Sequence, residues 1–230
     1  MAQMAVLVDV SRCTGCRGCQ VACKQWNKNP ASETCFTGTY ENPPDLEWNT
    51  FTRVAFREIE ESGKLAWLFR KDQCRHCVDP ACKGACPVEG AIVKHENGAV
   101  TVDQDKCVGG KDGKCSFECA DACPFSIPRF LPAAPKKMRK CTFCIDRQQM
   151  DPKMKPACVS ACLSGALFFG TREEVLAEGE RRLALLKQAY PDASLHLKDD
   201  VTWIYLLAYA PASYGISFNP EKASRKVAVV

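Results

Sequence analysis

The sequence predicts an α+β chain of two small cysteine-bearing modules, one inserted in the other, followed by a helix and a tail. Three observations carry this. Seventeen of 230 residues are cysteine, and sixteen of them fall into four close groups. Short β-rich runs with turn signals separate the groups. One capped, partly apolar helix follows the last group. A chain of this length can bury its own core, and 25% charged with 46% hydrophobic residues is the composition of a folded chain.

Residues 5–10 are mostly apolar and predict a short strand ahead of the first cysteines. Residues 18–26 predict a short helix carrying Cys19 and Cys23. Residues 27–49, with Pro43, Pro44 and Gly38, predict an inserted loop. Residues 51–59 and 65–70 predict strands around the turn signal Glu61-Ser62-Gly63. The run GAIVKHENGAVTVD predicts a hairpin about Asn97-Gly98 that leads into Cys107. SGALFFG, after Cys162, repeats the Gly-Ala and β-rich pattern of GAIV, an internal repeat of whole modules. Thr171 and Glu174 form a capping box for a helix to about Tyr190, with Val175, Leu183, Leu186 and Ala189 on its apolar face. Residues 201–218 are aromatic and apolar, and either cover the chain's own core or dock on a partner. The modules then divide as 1–60 with 131–170 (outer), 61–130 (inner) and 171–230 (helix and tail).

The cysteine groups are Cys13, Cys16, Cys19, Cys23; Cys74, Cys77, Cys82, Cys86; Cys107, Cys115, Cys119, Cys123; and Cys141, Cys144, Cys158, Cys162. The first is C-x2-C-x2-C-x3-C, the run in which three thiolates grip one cubane iron–sulfur cluster and the fourth ligates another. Two-residue gaps curl the chain round one cluster with N–H groups toward sulfur. The three-residue gap places the last thiol one helical turn away. Pro87 and Pro124 follow the last cysteine of the second and third groups, as in the usual run; Lys24 and Leu163 stand there in the others. Zinc ribbons space their C-x2-C pairs by a dozen residues or more, which only the fourth group resembles. Disulfide scaffolds are mostly small, and an odd count leaves one thiol over. Cys35 is expected to be a free loop thiol, and His76 a hydrogen-bond donor near a cluster or a surface residue. Two ferredoxin-like modules of two clusters each follow, the second and third groups forming the inner one.

The formal charge of +4 does not point to nucleic acid. Each cubane with four thiolates adds about −2, so four carry the loaded chain to about −4. Arg17, Lys24, Arg75, Lys83 and Lys140 offset cluster charge or face solvent. No run reaches the roughly 18 apolar residues of a membrane helix; the longest, VTWIYLLAYA, stops at Pro211. No secretory signal is expected at the N-terminus. There is no Walker loop and no dinucleotide fingerprint, so an independent enzyme is not expected.

The runs SRCTGCRGCQVACKQW, NPPDLEW, DQCRHCVDPACKG and MKPACVSAC resemble the iron–sulfur beta subunits of soluble molybdenum or tungsten formate dehydrogenases. These lie within the four-cluster subunits of pterin oxidoreductases, which include polysulfide, nitrate and dimethyl sulfoxide reductases. The resemblance spans residues 6–170. It implies four [4Fe-4S] clusters with swapped ligands. Cys13, Cys16 and Cys19 go with Cys162; Cys141, Cys144 and Cys158 with Cys23; Cys74, Cys77 and Cys82 with Cys123; Cys107, Cys115 and Cys119 with Cys86. The insert VGGKDGK departs from the family's two-residue gap. Three clusters follow if the Cys107 group is not occupied. No tryptophan replaces a ligand there, unlike a nitrate reductase. The resemblance further implies an electron-transfer chain that is not itself catalytic. It would join a large pterin subunit to a cytochrome, a membrane anchor or a soluble carrier, and reach the periplasm by co-export with a partner or else stay cytoplasmic. A related reductase subunit, a free polyferredoxin and a zinc-bound interaction module are the alternatives.

Overall fold

The structure, a computed structural model, describes residues 2–61 and 63–216; Ser62 of the predicted turn and Phe218 of the predicted tail lie outside the described residues. In chain order β1 is Met4–Asp9, α1 Gly18–Trp26, β2 Thr52–Glu61, β3 Lys64–Gln73, α2 Ala81–Gly84, β4 Ile92–Lys94 and β5 Val100–Val102. Then come α3 Glu118–Asp121, β6 Arg129–Phe130, β7 Met138–Arg139, α4 Ile145–Met150, α5 Ala157–Ser160, β8 Leu167–Thr171, α6 Arg172–Leu186, β9 Ser194–His196 and β10 Trp203–Leu207. The architecture is mixed α and β, with few helices.

One four-stranded sheet, in the order β8-β1-β10-β9, organises the molecule. Successive side chains on a strand point to opposite faces, and here the two faces serve different layers. Ala5 and Leu7 of β1, Ile204 and Leu206 of β10, and Phe168 of β8 pack against Val175, Leu183 and Leu186 of α6. Val6, Val8, Trp203, Tyr205, Leu167 and Phe169 face the other way, into a core shared with Phe143, Cys158, Cys19 and Cys162. The sheet is thus a wall between a closing helix and a cysteine-bearing layer. Of the two readings left open for the tail, the first holds for its described part: β10 pairs in parallel with β1, Val6 opposite Trp203.

The capping box of Thr171 and Glu174 is present and starts α6. The helix ends at Leu186, short of the expected Tyr190, although the Tyr190 N–H still donates to Leu186 O at 2.9 Å. Pro191 disfavours helical backbone at the residue before it. Ala189 is exposed, a correction to the predicted apolar face. Arg182 fastens α6 to the end of β1 by an ion pair to Asp9 at 3.1 Å, so the chain enters the first cysteine run from a fixed point.

The β2–β3 ribbon runs longer than predicted, ten residues in each strand. Its hairpin end is exposed, and its root, Arg70 to Gln73, is buried. The predicted hairpin about Asn97-Gly98 forms from β4 and β5, with Ile92 opposite Val102 and Gly98 at φ +93°. The loop 27–49 carries no strand or helix among its described residues.

Candidate metal centres

The cysteine runs fold by a repeated local device. Two residues after a leading cysteine the backbone enters the left-handed region, at Gly15 (φ +67°), His76 (φ +50°), Phe117 (φ +65°) and Phe143 (φ +61°). Three of these are not glycine, so tertiary context holds each turn against a cost of roughly 1–2 kcal/mol. What the turn provides is an N–H for sulfur. The amide of Phe117 donates to Cys115 Sγ at 3.3 Å and that of Phe143 to Cys141 Sγ at 3.4 Å. Further amides reach sulfur from Met138 to Cys107 and from Ile127 to Cys123, both at 3.4 Å. The Asn27 side chain donates to Cys23 Sγ at 3.6 Å.

Burial and neighbouring cysteines act together on many of the grouped thiols. Burial raises the Cys13 thiol, and the charges of Cys162 and Cys16 add to it. Burial pushes Cys19 up to about 12. Burial raises Cys23 far above its ordinary value, with Cys141, Cys158 and Cys144 acting the same way. Burial raises Cys77, with Cys74, Cys82 and Cys123 beside it. Burial lifts Cys119 to about 12, among Cys82, Cys115, Cys86 and Cys107. The insert 108–114 therefore delivers Cys107 to its predicted neighbours. Packing brings thiols of different predicted sets together: Cys19 and Cys162 with Cys158, Cys23 and Cys141 with Cys74 and Cys123, and Cys82 with Cys86, Cys107 and Cys119. Cys35 is exposed and joins none of them.

All seventeen cysteines are unbridged. Among the described residues no three His, Cys, Asp or Glu side chains close together as the ligands of a single ion do. The buried thiols with raised values, such as Cys23 and Cys19, resist ionisation, and a metal core that binds thiolate removes that resistance.

The surrounding charges fit an anionic group. Lys71 is 2% exposed and Lys140 is buried, and neither has a carboxylate partner among the described residues. Lys71 Nζ donates to Thr52 Oγ1 at 2.8 Å and Gln73 Oε1 at 3.0 Å. Lys140 Nζ donates to the carbonyls of Val100 and Cys141. An unpaired buried ammonium costs several kcal/mol, so counter-charge is required, and the cysteine sets are where it lies. Burial alone would lower the Lys71 ammonium; the charges of Cys158, Cys19 and Cys141 outweigh it and carry the group above its ordinary value. Two buried donors, Trp203 Nε1 and His76 Nε2, also lack an acceptor among the described residues. His76 is not at the surface. Its Nδ1 accepts from the Val100 N–H at 2.8 Å, and burial, then Lys140 and Lys94, hold it well below its ordinary value and neutral. Lys71 was missed in the sequence. Its signal there is a charged triplet, Arg70-Lys71-Asp72, inside a strand that leads into Cys74.

Beside the first set lies an aromatic patch. Tyr40 packs on Trp67 at 5.2 Å and Phe56 on Phe69 at 5.1 Å between ring centroids, and Arg17 stacks on Phe56 at 4.9 Å. A side chain at Gly15 would meet Phe69 at 3.1 Å, which places the patch against the first cysteine loop. Its outer members, Tyr40 and Trp67, are exposed.

Residues 65–172 match the 4Fe-4S dicluster domain family. The chain is 43% identical over 211 residues to the formate dehydrogenase subunit beta of Megalodesulfovibrio gigas, covering 90% of this chain and 94% of that one. It is 43% identical over 215 residues to the formate dehydrogenase 2 subunit beta (cytochrome c-553) of Nitratidesulfovibrio vulgaris, covering 91% and 95%. The nitrate-inducible formate dehydrogenase iron–sulfur subunit of Escherichia coli is 43% identical over 201 residues, and the match spans 65% of its length. Thiol sets, buried cations and sequence agree: this chain belongs to the iron–sulfur (beta) subunits of the formate dehydrogenases, electron-transfer subunits whose cofactors are 4Fe-4S clusters.

Proposed function

We propose that the chain relays single electrons between a large molybdenum- or tungsten-pterin subunit that oxidises formate and an external acceptor, through four [4Fe-4S] centres. The ligand sets are Cys13, Cys16, Cys19 and Cys162; Cys23, Cys141, Cys144 and Cys158; Cys74, Cys77, Cys82 and Cys123; and Cys86, Cys107, Cys115 and Cys119. The observation that carries this reading is the packing of thiols from consecutive sets in shared core clusters, Cys19 and Cys162 with Cys158, Cys23 and Cys141 with Cys74 and Cys123, and Cys82 with Cys86, Cys107 and Cys119. The paired groups support two ferredoxin-like modules, 1–60 with 131–170 around 61–130, closed by 171–230.

Bound clusters supply one-electron chemistry by spreading charge over four irons. The chain's residues do the rest. Amides on sulfur and buried lysines stabilise added negative charge and so set potentials. The sheet and the left-handed turns hold the thiols in place. The aromatic patch beside the first set supports docking of the catalytic subunit at that end, since aromatics are enriched at the anchoring points of interfaces. The fourth set then faces the acceptor: a cytochrome, as the Nitratidesulfovibrio relative's name has it, a membrane anchor or a soluble carrier. Among the described residues no helix is long and apolar enough to cross a membrane. We place the complex in the periplasm, carried by a partner's export signal.

The test is co-expression with a large pterin-binding formate dehydrogenase subunit. The expected product is a brown complex with four cubanes' worth of iron and sulfide in this chain, reduced by formate. A colourless chain carrying zinc would end the reading, and a brown chain that binds no pterin subunit would leave a free polyferredoxin in its place.

A further inference from the structure

Lys71 differs from the other buried lysine, Lys140, in what surrounds it. It lies on β3 opposite Val54, three residues before Cys74. Its ammonium stands 4.3 Å from the centroid of the Trp203 ring. Trp203 belongs to the core layer that holds Cys158, with Cys19 and Cys162 packed on it. The polar contacts of Lys71, to Thr52 and Gln73, are both neutral. The neighbouring ion pairs use other groups: Asp72 binds Arg70 at 2.8 Å and Arg75 at 3.1 Å, and it is spent on them. The groups left to answer the charge of Lys71 are the cysteines of that layer once they bind metal, Cys19 and Cys162 from the first proposed set and Cys158 from the second. The cation therefore sits at the junction of two consecutive centres and belongs to both.

We propose that Lys71 is the shared counter-charge of the first and second centres, raising both potentials and allowing both to hold an electron at once. This rests on the four-centre reading above. The sign follows from charge. Reduction adds one negative charge to a centre, a nearby cation favours the reduced form, and the potential rises. An electron on the first centre repels one on the second, and a positive charge between them offsets that repulsion. In a dry layer neither effect is screened as it would be in water.

The test uses the purified complex and redox titration followed by electron paramagnetic resonance. Lys71→Met removes the charge and keeps the length of the side chain. Thr52 and Gln73 each keep a partner, the Asp72 carbonyl and the Tyr205 hydroxyl. The expected result is a fall in the midpoints of the first and second centres. At fixed poise it amounts to at least a tenfold change in their reduced-to-oxidised ratio, about 59 mV for a one-electron couple. The fourth centre stays put, and Lys71→Arg restores the first two. Four unmoved midpoints in Lys71→Met, or four that fall by the same amount, overturn the proposal. If Lys71→Met assembles incompletely, loss of the first and second signals alone, recovered in Lys71→Arg, supports it. Even loss of all four in both variants makes Lys71 a folding residue and overturns it. Wild-type complex without cubane signals would instead defeat the four-centre reading itself, so the two failures are distinct.

Discussion

Cys19 and Cys23 stand four residues apart on α1, about 6 Å along the axis; the field of Cys19 holds Cys158 as well as Cys13 and Cys16, and that of Cys23 holds Cys141, Cys158 and Cys144. The spacing predicts that the two serve different centres, because a gap of three on a helix moves a thiol one turn on. The charges beside the cysteines were legible only in part. Lys140 was among the cations expected to offset cluster charge or face solvent, whereas Lys71 resembles any strand lysine in sequence, and only packing shows that no carboxylate meets either among the described residues. His76 was misread in part for the same reason: nothing local told a buried neutral ring from an exposed one. At this scale the ligand swap is tested by Cys19→Ser. A serine oxygen is a poor substitute for thiolate on iron, so the first centre's resonance should disappear or change while the second, completed by Cys23, persists. Cys35→Ser is the control and should leave iron content unchanged. All four signals intact in Cys19→Ser would show the swap to be wrong.

Elements with a local signature were found close to their true bounds: α1, the β4–β5 hairpin, and the start of α6 at its capping box. The parallel pairing of β1 with β10 had no such signature, since it joins segments almost a whole chain apart and parallel partners leave no turn in the sequence. The insert 108–114 was legible as a departure but not as a structure. It folds back on the segment before β7: the Lys136 N–H donates to Gly109 O at 3.0 Å, and the Met138 N–H reaches Cys107 Sγ. Gly109 permits this. Its φ is +57°, and a Cβ there would lie 2.5 Å from the Lys136 carbonyl carbon. Gly109→Ala therefore faces about 1–2 kcal/mol of backbone strain and a backbone overlap that only a shift of the insert relieves. Such a shift carries Cys107 away from its set. The expected outcome is loss of the fourth centre's signal and one cluster's iron, with the first three signals retained. A Gly109→Ala complex with full iron content would mean that the insert does not position Cys107.

Across the whole molecule, the proposed order of the sets would turn sixteen thiols into a relay with two ends, and the ends differ. The first set adjoins exposed aromatic residues on the β2–β3 ribbon, and the fourth adjoins the glycine-rich insert. If the first end faces the catalytic subunit, formate delivers each electron there, and interruption at the two ends has opposite consequences. Cys19→Ser breaks the path at its entry, so formate should leave the remaining three centres oxidised, although dithionite still reduces them. Cys115→Ser breaks the path at its exit. Formate should then reduce the first three centres as fully as in the wild type, while turnover with the acceptor falls at least a hundredfold, roughly the range expected when an essential step is lost. Rapid-freeze resonance spectra of both variants after formate addition distinguish the two ends without any assay of the acceptor's identity. Full reduction by formate in Cys19→Ser, with none in Cys115→Ser, would reverse the polarity and assign the aromatic patch to the acceptor instead.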